Sequence, residues 1–279
     1  RRSPLLVFVW MSQTAKHRKA NAQPATSDST PLGPFYKILR RDLTHHGFTY
    51  QPGLNVDTER FEPEAWSSGG LYFSDLEHIA EYLEYGDLVA RVTLPPDARW
   101  IQEAPGQFKA DRIILNDLQP LENWDLWNDS TFAQHAVQQD PTALMYVKHQ
   151  TPELCMAAVQ NYGRALQFVQ HQTPELCLAA VQNYGLALRY VQHQTPELCM
   201  AAIQQDSSAL RFVKHQTPAI CLAAVQQDGV TLRFVKHQTP AICLAAVQQD
   251  TRAFRLVKNP SPEFTQDCKN RLLLFWNEE

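Results

Sequence analysis

Residues with ligand chemistry recur at a fixed spacing in the second half of this 279-residue chain. Five cysteines are 22 residues apart, namely Cys155, Cys177, Cys199, Cys221 and Cys243. Five histidines follow the same spacing, namely His149, His171, His193, His215 and His237. Because thiolates and imidazoles bind zinc and paired thiols form disulfides, a metal or redox ladder is the first hypothesis.

The spacing itself argues against both kinds of ladder. Equivalent residues in stacked helical units lie about 10 Å apart, whereas a disulfide needs Cα atoms within about 7 Å and a Zn–N bond is about 2 Å. We therefore predict no metal site. The cysteines are interpreted as small buried hydrophobic residues with reduced thiols, and the histidines as helix C-terminal residues that interact with the dipole. Reduced thiols favour an intracellular protein.

A 22-residue repeat positions these residues. Residues 150–171 read QTPELCMAAVQNYGRALQFVQH, and the unit returns four times, after a diverged copy at 128–149. Thr151 and Pro152 have the residue types of an N-cap and first helical turn, and Gly163 is a helix stop. In later units Asp206 and its equivalents cap a second helix. The pattern predicts an all-α solenoid of six 22-residue helical hairpins over 128–259.

The segment 31–127 has the composition of a small α+β N-terminal domain. An amphipathic helix is predicted from Leu76 to Tyr85, and Trp124 to Trp127 are expected to pack this domain onto the first repeat. The predicted strands are Phe35–Arg40, Gly69–Ser74, Asp87–Leu94, Trp100–Ile101 and Arg112–Leu115.

Two flanking segments complete the predicted organisation. Residues 1–30 are expected to form a disordered or arm-like tail, in which Met11 is a candidate start and Lys16–Lys19 is a basic patch. The patch either is solvated, which we favour, or touches an acidic surface or nucleic acid. Residues 260–279 are predicted to form a C-terminal cap helix. Its apolar end, with Leu273, Phe275 and Trp276, either folds under the last repeat or docks a partner.

The distribution of charge limits the classes of partner. The net charge is −4, from +4 over 1–30, −8 over 31–127, +2 over 128–259 and −2 over 260–279. A nearly neutral array does not favour broad nucleic-acid binding, which needs a basic stripe. No run approaches the roughly 18 apolar residues of a membrane span, so no membrane partner is expected.

Two sets of motifs resemble known families. The unit TPELCLAAVQ with ALRYVQ resembles a short helical repeat family of unknown function from protists, amoeba-associated bacteria and giant viruses. Four motifs of the front domain resemble the domain that precedes ankyrin and similar repeats in mimivirus-like proteins. These motifs are HHGFTYQPGLN, GGLYFSDLEHIAEYLEYG, ARVTLPPDA and FKADRIIL. The resemblance covers most of 34–117 and implies a viral or amoeba-associated origin, without an activity.

A further motif, GLYFSD, is similar to the core of ADP-ribosyltransferases. This resemblance implies that His46 and Tyr72 hold NAD and that Asp111 stands in place of the glutamate that polarises the ribose. Aspartate is one methylene shorter than glutamate, and a misplacement of about 1 Å can cost roughly a hundredfold in rate. The resemblance therefore favours a degenerate relative over an active transferase. The alternative places His46 in a turn and Tyr72 against a helix.

The positions that vary between repeats suggest a binding surface. Core positions are nearly constant, whereas Gln167 is replaced in later units by Arg189, Arg211, Arg233 and Arg255. We call these four arginines the arginine ridge and interpret it as a surface for an acidic protein partner. The sequence thus predicts a non-enzymatic, intracellular scaffold or adaptor without a cofactor. A minor structural protein of a virion is the alternative, and an NAD-binding transferase-like domain is the second alternative.

Overall fold

The chain forms two compact units, Arg1–Lys148 and His149–Glu279. The computed structural model describes residues 33–45 and 47–276, without the side chains of 269 and 271–276. The first unit contains a β-sheet and the first helical repeat. The second contains five further repeats and a C-terminal helix, stacked as a solenoid. The predicted class, an α+β domain followed by a helical solenoid, is confirmed.

The first unit contains nine strands that pair in antiparallel fashion. They are β1 Phe35–Leu39, β2 Thr44–His45, β3 Phe48–Thr49, β4 Gly53–Val56, β5 Leu71–Asp75, β6 Leu88–Thr93, β7 Trp100–Ala104, β8 Gln107–Ala110 and β9 Arg112–Pro120. Seven of them form one sheet in the order β4-β9-β6-β1-β5-β8-β7, and β2 and β3 form a separate hairpin. Alternate residues of each strand therefore reach one buried face.

That buried face is built around three phenylalanines. Phe35 lies with its ring centre 5.2 Å from that of Phe73 and 5.0 Å from that of Phe108, and all three are buried. Such edge-on and stacked contacts add to the burial of apolar area. The three rings come into contact because β5 pairs with β1 on one side and with β8 on the other.

The predicted helix after β5 is shorter than expected and is a 3₁₀ helix, Ile79–Tyr85. The Asp75 carboxylate accepts hydrogen bonds from the backbone N–H of His78 (3.0 Å) and contacts its ring nitrogen (2.8 Å). Residues 76–78 are therefore held in a turn. The helix begins only after that turn, with Glu81 N–H donating to the His78 carbonyl over three residues.

The tryptophan joint packs against the first repeat, as the sequence suggested. The ring of Trp124 lies 5.2 Å from Phe132, and the ring of Trp127 stacks on Tyr146 at 5.1 Å. The indole N–H of Trp127 donates to the Leu121 carbonyl at 2.7 Å. These contacts bury the joint within the first unit, so no loose linker separates the sheet from the first helix pair.

Each repeat consists of an α-helix followed by a 3₁₀ helix. The α-helices are α1 Ser130–Gln139, α2 Pro152–Asn161, α3 Pro174–Asn183, α4 Pro196–Gln205, α5 Pro218–Gln227, α6 Pro240–Gln249 and the C-terminal α7 Pro262–Trp276. The 3₁₀ helices of the repeats are Pro141–Met145, Gly163–Phe168, Gly185–Tyr190, Ser207–Phe212, Gly229–Phe234 and Thr251–Leu256. Short 3₁₀ helices also occur at Leu121–Asn123 and Asp125–Asn128.

The caps of these helices agree with the sequence analysis. Thr151 and its equivalents accept a hydrogen bond from the third helical N–H, and proline occupies the first helical position. Asp206 accepts from the Ser208 N–H at 2.8 Å and so caps the second helix of its unit. That second helix spans only six residues with three-residue hydrogen bonds, a geometry suited to short connectors.

The repeat glycine has a different role from the predicted helix stop. The helix α2 ends at Asn161 and the chain turns at Tyr162, which has an extended conformation. Gly163 does not adopt a left-handed conformation. A Cβ atom at Gly163 would lie 2.4 Å from the Ala180 carbonyl oxygen of the next repeat. The glycine therefore permits the close approach of two repeats.

A glutamine in each linker joins successive repeats. The amide nitrogen of Gln194 donates to the carbonyl of Leu188 in the preceding 3₁₀ helix (3.2 Å) and of Phe212 in the following one (2.9 Å). Its amide oxygen accepts from the Lys214 N–H at 2.9 Å and from the Cys199 thiol at 3.8 Å. Gln172, Gln216 and Gln238 make the same set of contacts. We call this set the glutamine ladder.

We predict that replacing Gln194 with leucine lowers the free energy of unfolding of the array by about 1–3 kcal/mol. Leucine keeps the volume but leaves the Phe212 carbonyl and the Lys214 N–H without this partner, and the Leu188 carbonyl keeps the Val191 N–H alone. Urea denaturation followed by far-ultraviolet circular dichroism measures the change. The control is Gln204→Leu, since Gln204 lies exposed on α4. Equal losses for the two variants would contradict a structural role for the ladder.

Candidate functional site

The 3₁₀ helices of the array present the arginine ridge to solvent. Arg189, Arg211, Arg233 and Arg255 each occupy the same position of successive 3₁₀ helices, and all four are exposed. The equivalent residue of the second repeat, Gln167, is also exposed. The ridge therefore repeats once per 22 residues along one line of equivalent positions.

Aromatic rings hold three of these arginines. The guanidinium of Arg189 lies 5.2 Å from the centre of the Tyr190 ring and 5.4 Å from that of Phe212 in the next repeat. Arg211 lies in the same way 4.7 Å from Phe212 and 6.0 Å from Phe234. Arg233 lies 4.7 Å from Phe234. Guanidinium groups and half-buried rings thus alternate across three repeats, within the range of cation–π attraction.

Few carboxylates oppose this positive charge. Among the described residues of the array, the one ion pair joins Arg252 and Asp250 at 2.7 Å. In that part of the chain no carboxylate forms an ion pair with Arg189, Arg211 or Arg233. Asp206 and Asp228 are used as helix caps, because their side chains accept backbone N–H groups. Residues 194–259 carry seven lysines and arginines against four acidic residues. The last three repeats are therefore the basic part of the array.

The repeated cysteines are buried and free, as the sequence predicted. All six cysteines lack a disulfide partner and are buried. The thiols of the five repeat copies donate to Gln150 and to the four glutamines of the ladder, with Sγ to Oε1 distances of 3.5–3.8 Å. Burial raises the pKa of each of these thiols. A protonated thiol that donates to an amide oxygen is a packing residue, and this geometry does not favour a reactive one.

The repeated histidines lie at exposed bends. Each lies two residues after the valine that follows a 3₁₀ helix, and directly before the glutamine of the linker. In the described part of the chain, no group of three His, Cys, Asp or Glu residues is placed to hold a metal ion. No helix in that part is both long and apolar enough to cross a membrane.

The first unit contains a cavity of about 310 Å³ beside the start of β5. Tyr72, the glycine pair Gly69–Gly70, His45 and Gly47 line it together with Asp57. The Asp57 carboxylate accepts a hydrogen bond from the Gly70 N–H. Both glycines have positive φ angles, and a Cβ at Gly70 would lie 2.8 Å from the Lys109 side chain. The GGLY motif is therefore required by the shape of this wall.

A buried ion pair supports the same wall. Lys109 and Glu103 are fully buried and lie 3.2 Å apart. The Lys109 ammonium also donates to the Ser67 carbonyl (3.1 Å) and hydroxyl (2.9 Å), while Glu103 accepts from the Trp66 N–H (2.8 Å). Neither residue was predicted from the sequence. The sequence signal for Lys109 is a lysine inside the strand-like run QFKA. A lysine in such a run is typical of a solvent-facing position and does not indicate burial.

The lining residue Tyr72 and its neighbour Lys37 have pKa values that differ from the ordinary values of their side chains. The Lys37 ammonium donates to the Tyr72 carbonyl at 2.6 Å and lies 4.5 Å from the centre of the Tyr50 ring. Burial lowers the pKa of Lys37 to about 7. Burial, followed by the charge of Glu103, raises the pKa of Tyr72 to about 12. Burial thus disfavours the charged form of both side chains.

The three residues suggested by the transferase resemblance do not all meet at this cavity. Tyr72 lines it, whereas Asp111 is not among the lining residues and faces Arg99 and Arg112. Asp111 accepts from the Arg99 backbone N–H and side chain, both at 3.0 Å. Its carboxylate therefore joins the turn between β8 and β9 to the residue that precedes β7. His46 lies outside the described residues.

Other predicted partner-binding residues also lie outside that description. The helix α7 extends from Pro262 to Trp276, within the segment 260–279. The side chains of Leu273, Phe275 and Trp276 lie outside the described part, so their two alternatives stay open. Met11 and the basic patch Lys16–Lys19 also lie outside it.

Relatives of this chain occur in Acanthamoeba polyphaga mimivirus. Two are named for ankyrin repeats: one is 35% identical over 101 residues, which are 33% of this chain and 50% of that protein. The other is 40% identical over 102 residues, which are 33% of this chain and 31% of that protein. This chain thus spans half of the first and about a third of the second.

A third mimivirus relative, named as an uncharacterised protein, is 31% identical over 99 residues. This match covers 33% of the present chain and 72% of that relative. No family model matches the chain, and no solved structure matches it. The repeat unit here has 22 residues, compared with about 33 in ankyrin repeats, so the name of the first two relatives does not describe this array.

We predict that Lys109→Met lowers the free energy of unfolding of the first unit by about 3–5 kcal/mol, because it leaves the Glu103 charge buried and unpaired. Adding Glu103→Leu should restore most of the loss. Tryptophan fluorescence during urea unfolding reports mainly this unit, since five of the six tryptophans precede residue 149 and Trp276 is the sixth. Lys148→Met, at an exposed site, is the control. A double variant no more stable than Lys109→Met would contradict the prediction.

Proposed function

The chain belongs to the same family as an uncharacterised protein of Acanthamoeba polyphaga mimivirus, and from this premise we propose that it is a scaffold that binds partner proteins through its helical array. The observation that carries the proposal is the arginine ridge, exposed, regularly spaced and stacked on aromatic rings. Stacked repeats commonly present extended binding surfaces of this kind. Two relatives named for ankyrin repeats add support for a repeat-based interaction role.

The chemistry of the ridge favours an acidic protein partner. Arginine forms paired hydrogen bonds with carboxylates, and stacking on a ring leaves the N–H edge of the guanidinium available. The rings also restrict the arginine rotamers before binding, which reduces the entropy lost in the complex. Six free, buried cysteines fit a reducing compartment, so we place this role inside the host cell.

We expect the arginine ridge to be required for capture of partners. The full chain is immobilised and exposed to amoeba lysate, and bound proteins are identified by mass spectrometry. The variant Arg189→Gln/Arg211→Gln/Arg233→Gln should lose at least one captured protein by roughly tenfold, since each exposed charge pair contributes about 0.2–1 kcal/mol. The matched control is Arg40→Gln/Arg91→Gln/Lys148→Gln, which removes three exposed charges from the first unit.

The outcomes of this capture experiment separate the hypotheses. Loss with the ridge variant, but not with the control, supports the scaffold. Equal capture by all three forms would contradict it. If the ridge-dependent partners come from purified virus particles and not from the host, the alternative of a minor structural protein is the better description.

A second candidate function is NAD binding without group transfer by the first unit. The observation that favours it is the position of Tyr72, whose ring lines the same cavity as Gly69, Gly70 and His45. Asp111 is engaged by Arg99 and Arg112, so the proposal is limited to binding.

We expect isothermal titration of the full chain with NAD to give binding that Tyr72→Ala weakens at least tenfold. Tyr72→Phe should retain most of the affinity, because the ring remains. Tryptophan fluorescence shows whether each variant is folded. Absence of heat with the wild-type chain, or equal binding by Tyr72→Ala, would remove this candidate function.

A further inference from the structure

The arginine ridge has a spacing that selects among extended ligands. The guanidinium carbons of Arg189 and Arg211 lie 5.4 and 4.7 Å from the same Phe212 ring centre, so they are at most about 10 Å apart, close to the roughly 8–10 Å between packed helices. An extended β-strand places every second side chain on one face, at about 6.6 Å, and does not match this spacing. A polyproline II helix has three residues per turn and rises about 3.1 Å per residue, so every third side chain recurs on one face at about 9.3 Å.

We propose that the arginine ridge binds an acidic peptide in the polyproline II conformation, with a carboxylate at every third residue. This inference rests on the proposed scaffold function and specifies its partner. One carboxylate would meet each guanidinium from Arg189 to Arg255, so a segment of about ten residues spans the four arginines. A polyproline II peptide has no internal hydrogen bonds and is already extended, so little conformational entropy is lost on docking.

The aromatic residues between the arginines favour a peptide over single-stranded nucleic acid. Nucleic acids bind basic grooves by stacking bases on exposed ring faces. Here the rings of Tyr190, Phe212 and Phe234 are half-buried and are already contacted by guanidinium groups at 4.7–5.4 Å. A base would have to displace an arginine to stack, whereas a carboxylate approaches the free N–H edge of the stacked guanidinium.

The capping carboxylates also shape this surface. Asp206 and Asp228 accept backbone N–H groups at the starts of their 3₁₀ helices, at 2.8 and 3.0 Å. Asp250 does the same and pairs with Arg252. Arg252 occupies a different repeat position from the ridge arginine Arg255. The negative charges of the last three repeats are thus fixed at helix starts, and the ridge position carries an unopposed positive charge within the described array.

The test uses fluorescence anisotropy with the full chain and four labelled probes. The first peptide is (Glu-Pro-Pro)₄, and the second has the same composition with the glutamates at every second residue. The third is (Lys-Pro-Pro)₄, and the fourth is a single-stranded 12-nucleotide oligothymidylate. Each is titrated with wild type, with Arg189→Gln/Arg211→Gln/Arg233→Gln, and with the matched control Arg40→Gln/Arg91→Gln/Lys148→Gln. Circular dichroism verifies that each variant remains helical.

We expect (Glu-Pro-Pro)₄ to bind wild type and control about tenfold more tightly than the isomer with altered spacing. The ridge variant should lose about tenfold in affinity, and added salt should weaken binding. Equal binding of the two glutamate peptides, no binding of either, or no effect of the ridge variant would overturn the proposal. Tighter, ridge-dependent binding of the oligonucleotide would replace the peptide by a nucleic acid.

The failure of this inference is distinguishable from failure of the scaffold function. If peptide spacing has no effect but ridge-dependent proteins are still captured from lysate, the scaffold stands and the polyproline II partner is wrong. If capture is also independent of the ridge, both are wrong.

Discussion

One amide side chain per repeat holds the helical array together. Each glutamine of the ladder donates to two successive 3₁₀ helices and accepts from a backbone N–H just after the second of them. Every repeat therefore depends on its neighbours for backbone partners, and a single 22-residue unit would expose them. Helices of ten residues are marginal alone in water. The array is consequently stabilised by its interfaces, in the manner of a one-dimensional chain of coupled units.

The residues that stabilise the array are different from those on its variable surface. Core alanines, cysteines and glutamines face the interfaces between repeats, and capping threonines and aspartates fix the helix starts. The residue at the ridge position takes part in neither task. It is glutamine in one repeat and arginine in the next four. Function can therefore be adjusted at this position with little effect on the stacking of the repeats.

The sequence predicts the array better than the sheet for a physical reason. Thr–Pro starts, apolar spacing and the 22-residue period are local signals, and the caps at Thr151 and Asp206 follow them. The strand β4 was missed because its Leu54 is exposed and its Asn55 is buried, the reverse of the usual pattern. The pair Lys109–Glu103 depends on contacts between strands, which no local pattern contains. The close approach at Gly163 was also hidden, since its partner Ala180 belongs to another repeat.

Because the same glutamine contacts recur in successive repeats, the array can change in length by whole repeats. Removal of residues 194–215 would set Gln216 against the Leu188 carbonyl in place of the Leu210 carbonyl, with the same donor and acceptor atoms. Whole units can thus be added or lost without leaving a broken hydrogen bond. Each such change alters the number of ridge arginines by one. Copy number would then set the valency of the surface, and valency affects the avidity for a long ligand far more than any single contact.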